Sequence, residues 1–266
     1  MLDIEFAQLS DFGKSRGHNE DYLGHAAPET ADQARTHGWL FALADGVGGH
    51  DDGEVASRAA VEHLTQGFRE APKNEALGGL LTRLVQSANV CVYETGKRAS
   101  AGGTNMATTM VACALRYDRV AVAHAGDSRC YLIREGCATL LTRDHTVANE
   151  QLKLGILSAK DFANSPNRHV LVRSLGNDLF VNVDLVEPQV LPGDVLVMCS
   201  DGLHNTVEGS EMAAVTGHGA ALDNAARRLI ELANHRDGND NISVSLIRIR
   251  DVERVGMYRG RPYKLR

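Results

Sequence analysis

The stretch Trp39-Leu40-Phe41-Ala42-Leu43-Ala44-Asp45-Gly46 is an apolar run that ends in an aspartate and a glycine. Two further runs end similarly, 120–125 before Gly126-Asp127-Ser128 and 195–200 before Asp201-Gly202. A fourth aspartate, Asp240, stands just before the apolar run 242–249. Short apolar runs bounded by turn residues predict buried β-strands, and a strand holds a carboxylate at its end rigidly.

Carboxylates at several strand ends would form a pocket lined by oxygen atoms if one edge of a sheet brings them together. Carboxylates that close repel one another unless a cation lies between them. Oxygen ligands without a nearby cluster of cysteine or histidine suit Mg²⁺ or Mn²⁺. The sequence therefore predicts a site for divalent cations at these strand ends.

Composition and charge exclude several classes of protein. The 266 residues are 43% hydrophobic and 23% charged, with a net charge of −6. One domain can bury a full core at this length, and the negative charge gives no support for nucleic-acid binding. The N-terminus does not resemble a signal peptide, and no apolar run reaches the roughly 20 residues that span a bilayer. We expect a cytoplasmic monomer that binds neither nucleic acid nor membrane.

The cysteines show no spacing typical of a metal site or of a disulfide framework. There are 5 of them and none forms a C-x-x-C pair. We interpret them as reduced residues that pack as small apolar side chains, and we consider zinc or disulfide roles weaker alternatives. They are Cys91, Cys113, Cys130, Cys137 and Cys199.

Helical and strand patterns occur in blocks. Helical spacing of apolar residues predicts helices at 53–70, 77–92 and 220–234. Strand patterns cover 4–9, 39–44, 108–115, 120–125, 130–133, 181–186, 194–198 and 242–249. Because two adjacent helices precede consecutive strands, the order predicts helices packed on antiparallel sheet.

Two segments fall outside this order. Residues 144–168 are polar, with a short helical signal at 147–154 and a capping box at Ser158-x-x-Asp161. This segment is either a long surface excursion or a mobile flap beside a site. After Glu253 the chain carries bases and no acids, which indicates a solvated tail; an arm that contacts an acidic partner is the alternative.

Five acidic motifs occur in one order, each beside a predicted strand. They are Arg16-x-x-Asn19-Glu20-Asp21, Ala44-Asp45-Gly46-x-Gly48-Gly49, Gly126-Asp127-Ser128-Arg129, Ser200-Asp201-Gly202 and Asp240-Asn241-x-Ser243. With Asp144-His145-Thr146 and Val170-Leu171-Val172-Arg173-Ser174-Leu175-Gly176, they make the chain resemble the metal-dependent serine/threonine protein phosphatases of the 2C type, in their compact bacterial form. The resemblance covers residues 8–250.

This resemblance implies an α+β fold with a central β-sandwich of two antiparallel sheets, flanked by helix pairs and carrying a flap subdomain at about 144–172. It implies one catalytic domain at 1–253, followed by the basic tail 254–266. It also implies two Mn²⁺ or Mg²⁺ ions. Asp45 would bridge both ions, Glu20 and the carbonyl of Gly46 would complete one site, and Asp201 and Asp240 would complete the other.

The remaining matched residues have implied roles as well. Asp127, together with Asp201, marks a weaker third metal position. Asp21 would hydrogen-bond water on the metal, and Arg16 would hold the substrate phosphate, whose geometry its planar fork matches. The family often carries aspartate where this chain has Asn205, and the lost charge weakens a third ion.

The implied chemistry is hydrolysis of phosphoserine and phosphothreonine on proteins, in opposition to a serine/threonine kinase. A hydroxide held between the two ions attacks phosphorus, so no cysteine nucleophile is required. The leaving alkoxide needs a proton donor. Val47 stands where animal members carry histidine, so His50, His204 and a water on the metal are the candidates, and we favour the water.

Two other functions remain open from sequence. The chain could be a non-catalytic module that binds phosphoproteins, or a phosphoesterase for small molecules. A binding module usually lacks a metal ligand, whereas here only Asn205 departs from the family pattern. The flap would decide between protein and small-molecule substrates.

Overall fold

The computed structural model of the chain describes residues 2–47, 52–99, 106–162, 165–217, 219–258 and 261–264. In chain order its strands are β1 (Asp3–Asp11), β2 (Asp21–Ala26), β3 (Trp39–Val47), β4 (Ala107–Thr108), β5 (Met110–Arg116), β6 (Arg119–Ala125), β7 (Arg129–Arg134), β8 (Cys137–Leu140), β9 (Asp184–Val186), β10 (Val195–Cys199), β11 (Ile242–Asp251), β12 (Val255–Tyr258) and β13 (Arg261–Lys264). Its helices are α1 (Ala31–Thr36), α2 (Gly53–Arg69), α3 (Leu77–Ala99), α4 (Val147–Lys153), α5 (Ala159–Phe162), α6 (Asp201–His204), α7 (Gly209–Val215) and α8 (Leu222–Arg236).

Two antiparallel sheets form the centre of the fold. The first sheet has the order β1-β11-β10-β7-β8, and the second has the order β2-β3-β5-β6-β9, with β4 paired to β3. Helices α2 and α3 pack together on the second sheet, while α8 packs on the first. The α+β sandwich flanked by helices, which the family resemblance implies, is confirmed.

Alternating side chains on β3 separate two of the apolar layers. Leu40, Ala42 and Ala44 belong to the layer that the sheet shares with α2 and α3. Phe41 and Leu43 point the other way, into the layer between the two sheets. A third layer joins the first sheet to α8. Burying one such leucine or phenylalanine contributes roughly 1.5–3 kcal/mol, so each strand face is fixed in register by its apolar pattern.

The predicted elements are found, but several ends differ. Strand β3 continues through Asp45 to Val47, beyond the predicted end at Ala44, because Gly46 and Val47 pair with β4. Strand β9 begins at Asp184 rather than at residue 181. The backbone before it is held instead by side-chain amides, since Gln86 and Asn89 both donate to the carbonyl of Leu179. Helix α3 extends past the predicted end at residue 92 to Ala99.

Other elements were absent from the sequence prediction. Strand β2 carries Gly24 and His25 in its middle, which hides the apolar alternation. The helices α1, α6 and α7 have 6, 4 and 7 residues and are too short for a clear helical period. The strand β8 is mostly exposed and lies at the edge of the first sheet.

The segment 144–172 leaves the first sheet and carries α4 and α5. Its two ends are tied together, since the N–H of Val172 donates to the carbonyl of His145 at 2.9 Å. The predicted capping contact is present, because Ser158 Oγ accepts from the N–H of Asp161 at 3.2 Å. The start of the segment is buried at Asp144 and His145, so only its later part lies on the surface.

The strands β12 and β13 pair antiparallel near the C-terminus, where the sequence indicated a solvated tail. Of its basic residues, Arg259 and Arg266 lie outside the described part of the chain. The division into a catalytic domain at 1–253 and a basic tail stays a prediction. Among the described helices, none is both long and apolar enough to cross a membrane.

Candidate active site

The acidic motifs converge on one pocket where the two sheets meet. Its described lining includes Arg16, Glu20, Asp45, Gly46, Val47, Thr109, Asp127, His169, Val170, Leu171, Ser174, Asn177, Asp201 and Asp240. The second sheet and its connections supply the residues up to Asp127, while the first sheet supplies the positions after β10 and before β11. Residues distant in sequence are therefore brought together, as the strand-end pattern predicted.

Asp45 is fixed by hydrogen bonds on both sides of its peptide unit. Its N–H donates to Thr109 Oγ1 at 3.0 Å. Its carbonyl accepts from the N–H of Thr109 and from Thr108 Oγ1, each at 2.8 Å. Both backbone polar groups of Asp45 are therefore hydrogen-bonded, and the backbone that carries the carboxylate is fixed at the pocket. Thr109 was not singled out from sequence, although it follows directly after β4.

Gly46 and Gly53 keep space beside Glu20. A Cβ atom on Gly46 would lie 2.4 Å from the carbonyl oxygen of Gly53, and a Cβ on Gly53 would lie 2.9 Å from Cδ of Glu20. Both distances exclude a side chain, so the start of α2 can approach β3 closely. Glu20 is itself buried, and its N–H donates to Asn241 Oδ1 at 2.8 Å.

Asn241, the second residue of the motif Asp240-Asn241-x-Ser243, is a positioning residue. Its side-chain amide donates to the carbonyls of Phe12 and His18, each at 3.0 Å. With the bond to Glu20 it ties the loop after β1 to the start of β11. Its neighbour Asp240 is thereby held against the Arg16 loop.

Arg16 lies at the pocket and forms an ion pair with Asp240. Its Nη2 lies 2.9 Å from Asp240 Oδ2 and 2.9 Å from Oδ1. Burial lowers the pKa of Arg16, but the nearby Asp240 raises it further, and the net shift is upward. The side chain is 44% exposed. The guanidinium is therefore charged, partly solvent-accessible and able to meet an anion at the pocket edge.

Asp21 lies opposite Asp45 in the β2–β3 pair but is not among the described lining residues. Its Oδ2 accepts from Ser200 Oγ at 2.8 Å, and its Oδ1 is buried without a partner among the described residues. Burial, followed by the charges of Asp201 and Asp240, raises the pKa of Asp21 to about 7, although hydrogen bonds from Ser243 and Ser200 lower it. An unpartnered buried carboxylate oxygen indicates a missing donor or cation.

Burial, followed by mutual repulsion, raises the pKa values of the carboxylates in the pocket. Burial, and then the charges of Asp21 and Asp201, raise the pKa of Asp45 well above its usual value. Burial and Asp201 raise the pKa of Asp127 to about 8. Burial and Asp240 raise the pKa of Asp201 to about 6. Such a set is costly without cations, and its all-oxygen donors fit Mg²⁺ or Mn²⁺.

The family model for protein phosphatase 2C matches residues 17–237 of this chain. The chain belongs to the protein phosphatase 2C family. It is 35% identical over 257 residues to the serine/threonine phosphatase stp of Listeria innocua, which covers 95% of this chain and 96% of that protein.

Solved structures of this family share the fold. The S. agalactiae serine/threonine phosphatase superposes with a TM-score of 0.84 at 34% identity, covering 93% of this chain and 100% of that chain. The catalytic domain of the serine/threonine protein phosphatase PstP, in complex with 2 manganese ions, superposes with a TM-score of 0.79 at 29% identity. That match covers 94% of this chain and 100% of that chain.

Asn205, the departure from the 2C pattern, turns its amide toward the pocket acid. Its Nδ2 donates to Asp201 Oδ2 at 3.2 Å, so the side chain acts here as a donor rather than as an oxygen ligand. Of the two histidines that the sequence offered as proton donors, only His204 lies in the described part of the chain. His204 bonds through Nε2 to the carbonyl of Asp127 at 2.9 Å and does not line the pocket within the described residues. His50 lies outside the described residues.

A second cluster lies beside the pocket and was missed by sequence. His124, His145 and Asp184 have potential ligand atoms within 4.8 Å of one another. The two imidazoles stack at 4.7 Å with an angle of 11° between their planes. His145 belongs to the quoted Asp144-His145-Thr146 motif, which is the signal that could have found it.

The five cysteines are all free of disulfides, as the sequence indicated. Cys113, Cys130 and Cys199 are buried, and Cys91 is partly buried. Burial raises the pKa of the Cys199 thiol to about 12, which makes it unreactive. The three buried cysteines pack as small apolar side chains, whereas Cys137 is exposed.

Proposed function

We propose that this pocket hydrolyses phosphoserine and phosphothreonine esters on proteins and that its acidic residues hold the metal ions required. Membership of the 2C family makes the chain a metal-dependent serine/threonine protein phosphatase. The observation that carries the site assignment is the convergence of carboxylates on one pocket, with Arg16 at its edge. Among the described lining residues these carboxylates are Glu20, Asp45, Asp127, Asp201 and Asp240.

We assign the metal ligands as follows. Glu20, Asp45 and the carbonyl of Gly46 would hold one ion, and Asp45, Asp201 and Asp240 would hold the other. A bound pair of divalent ions supplies a strong water-derived nucleophile and neutralises phosphate charge. The rigid backbone of Asp45, with both its N–H and its carbonyl bonded, makes it suited to the shared position.

The other polar residues act on substrate and water. Arg16 would bind the phosphoryl oxygens with its partly exposed guanidinium. Asp21 would accept a hydrogen bond from the attacking water through Oδ1, since Oδ2 is occupied by Ser200. Asp127, with Asp201, would hold a weaker third ion, because Asn205 supplies no charge and donates to Asp201.

The expected setting is the cytoplasm, where a monomer of this phosphatase would oppose a serine/threonine kinase that modifies the same proteins. Its free cysteines support a reducing compartment. No membrane or nucleic-acid partner is proposed. The substrate proteins would be identified by the phosphoproteins that accumulate in a strain producing only the Asp45→Asn protein.

Metal removal tests the proposed mechanism. We expect turnover of a phosphothreonine peptide with added Mn²⁺ or Mg²⁺ and none in excess EDTA, because the ligand set contains only oxygens. Restored turnover after Mn²⁺ is returned controls for damage by the chelator. Full turnover in EDTA, with protein-bound metal measured as absent, would contradict the mechanism.

Arg16→Ala should weaken phosphate capture more than metal binding. Charged hydrogen bonds to phosphate contribute roughly 1.5–3 kcal/mol, so kcat/KM should fall roughly ten- to hundredfold. Steady-state kinetics and a Mn²⁺ titration by calorimetry are measured side by side. Arg228→Ala, whose guanidinium lies on exposed α8 near Glu231, is the matched control. A metal affinity that collapses with Arg16, or an unchanged kcat/KM, would count against this role.

The flap should select substrates through exposed apolar side chains at the pocket rim. Val170 lines the pocket and is 48% exposed. Val170→Ser should raise KM for phosphopeptides roughly five- to tenfold, which corresponds to about 1–1.4 kcal/mol. Hydrolysis of a small aryl phosphate should change little, since it does not extend to the rim.

The matched control for this flap variant is Leu154→Ser. Leu154 belongs to the same segment and is 69% exposed, but it is not among the described residues that line the pocket. It should leave both substrates unchanged. Equal losses on peptide and aryl phosphate with Val170→Ser would show that the flap belongs to the catalytic scaffold instead.

A further inference from the structure

The peptide unit before Asp127 is held by His145. The N–H of Gly126 donates to Nδ1 of His145 at 3.1 Å, and the N–H of His145 donates to the carbonyl of Gly126 at 3.0 Å. Gly126 has a φ of 114°, and a Cβ there would lie 2.6 Å from Cβ of Thr109. Gly126 is therefore clamped between Thr109 and the start of the flap.

The peptide unit after Asp127 is held by a second histidine. Nε2 of His204, in α6, lies 2.9 Å from the carbonyl of Asp127 and donates to it. Asp127 is 7% exposed, and both histidine contacts act on the backbone that carries its side chain. Two imidazoles from different parts of the fold thus fix the backbone on either side of one acid.

His145 also joins both ends of the flap. Its carbonyl accepts from the N–H of Val172, and its Nε2 lies 3.2 Å from Asp184 Oδ2. Asp184 in turn accepts from Nη1 of Arg173 at 2.8 Å. His145 therefore connects the flap base to Gly126 through the bonds of its two ring nitrogens and of its backbone.

These hydrogen bonds argue against a metal ion at the cluster of His124, His145 and Asp184. Because Nδ1 of His145 accepts from the N–H of Gly126, the hydrogen of the neutral ring lies on Nε2. That nitrogen faces Asp184 as a donor and has no lone pair for a cation. The cluster is a hydrogen-bonded connection between flap and sheet.

We propose that His145 and His204 are positioning residues that hold Asp127 in place for its cation, and that His145 couples the flap to that cation site. This inference rests on the proposed role of Asp127. By linkage, a cation bound at Asp127 should favour the ordered position of the flap base. Displacement of the flap should lower the affinity for the cation by the same factor.

Replacing each histidine by asparagine and by glutamine tests which ring nitrogen makes the required hydrogen bond. Asparagine places its amide near the position of Nδ1, and glutamine near that of Nε2. At residue 145 the bond to Gly126 uses Nδ1, so His145→Asn should retain Mn²⁺ affinity and His145→Gln should lose it. At residue 204 the bond uses Nε2, so His204→Gln should retain the affinity and His204→Asn should lose it.

Calorimetric titration with Mn²⁺, without substrate, measures the effect directly. In His145→Gln and His204→Asn, the dissociation constant of the weakest-binding phase should rise about tenfold. This rise corresponds to about 1.4 kcal/mol, which is the net value of one buried hydrogen bond. His63→Asn, an exposed histidine on α2 bonded to Ser87, is the control and should leave the titration unchanged. A role in packing alone would rank the amides identically at both positions, and that result would overturn the inference.

Hydrogen exchange on the unaltered protein tests the coupling without any question of folding. Mn²⁺ at concentrations that fill the weakest site should slow amide exchange in 144–172, and His145→Gln should abolish this slowing. Unchanged flap exchange in the unaltered protein would overturn the coupling. Asp127→Asn separates the two proposals. If this variant keeps the weakest Mn²⁺ phase, the assigned role of Asp127 is wrong. If this variant loses the phase while all histidine variants keep it, only the inference about the histidines is rejected.

Discussion

Asp45→Asn should reduce kcat by more than about a hundredfold while the protein remains folded. Replacing residues that only support a metal ligand typically costs 10–100-fold, and Asp45 is assigned to both ions, so its loss should cost more. Asparagine has the same shape and leaves the backbone bonds to Thr108 and Thr109 unchanged. Turnover of a phosphothreonine peptide, with circular dichroism on the same sample, measures both quantities.

Asp240→Asn is the graded comparison for this prediction. Asp240 is assigned to one ion and its side chain is 40% exposed, so its loss should be smaller than that of Asp45. Asp223→Asn, in the exposed first turn of α8, is the matched control and should be fully active. Near-normal kcat in Asp45→Asn would refute the assignment, and an unfolded variant would show that the carboxylate is structural.

The strand ends that build the pocket could be predicted because they combine two local signals. An apolar run predicts the strand and the aspartate beside it predicts the site, as at Asp127 and Asp201. Asp45 shows the limit of this reasoning. Its strand continues past the aspartate, because pairing with β4 is a contact between distant residues that no local pattern reveals.

The residues that hold the acids in place were harder to predict than the acids. Thr109, Asn241 and His145 act through hydrogen bonds to residues distant in sequence. A threonine or histidine in a strand or loop has many ordinary explanations, so only the assembled structure shows its partner. The direction of the Asn205 amide is likewise set by Asp201, four residues before it.

The metal-free protein should lose stability as pH rises from about 6.5 to 8.5. The pKa of Asp127 is raised to about 8 and that of Asp21 to about 7, both far above the 3.8 of an ordinary aspartate. In this window the folded state keeps protons that the unfolded state has lost, so raising the pH favours unfolding. One pKa unit corresponds to about 1.4 kcal/mol, and the two groups together predict a loss of about 2–3 kcal/mol.

Below about pH 6.5, two buried histidines change the free energy of unfolding in the opposite direction to the acids. Burial and His124 lower the pKa of His145 to about 4, and burial and Arg129 lower that of His204 to about 3. These groups cost stability as pH falls below about 6.5, where the unfolded histidines gain protons. Because the two histidines oppose the two acids below about pH 6.5, metal-free stability should change less steeply there than between pH 6.5 and 8.5.

Mn²⁺ should reverse the alkaline decline, because a cation replaces the protons that the carboxylates otherwise retain. Urea unfolding in EDTA and in Mn²⁺, at half-unit steps from pH 5.5 to 8.5, gives the free energy of unfolding in each state. The increase caused by Mn²⁺ should grow with pH. Asp127→Asn should flatten the metal-free curve above pH 7, because it removes a carboxyl group whose pKa of about 8 lies within that range. A metal-free stability that rises from pH 6.5 to 8.5 would show that these acids are already ionised in the folded protein, and it would remove electrostatic repulsion as the reason that the pocket takes up cations.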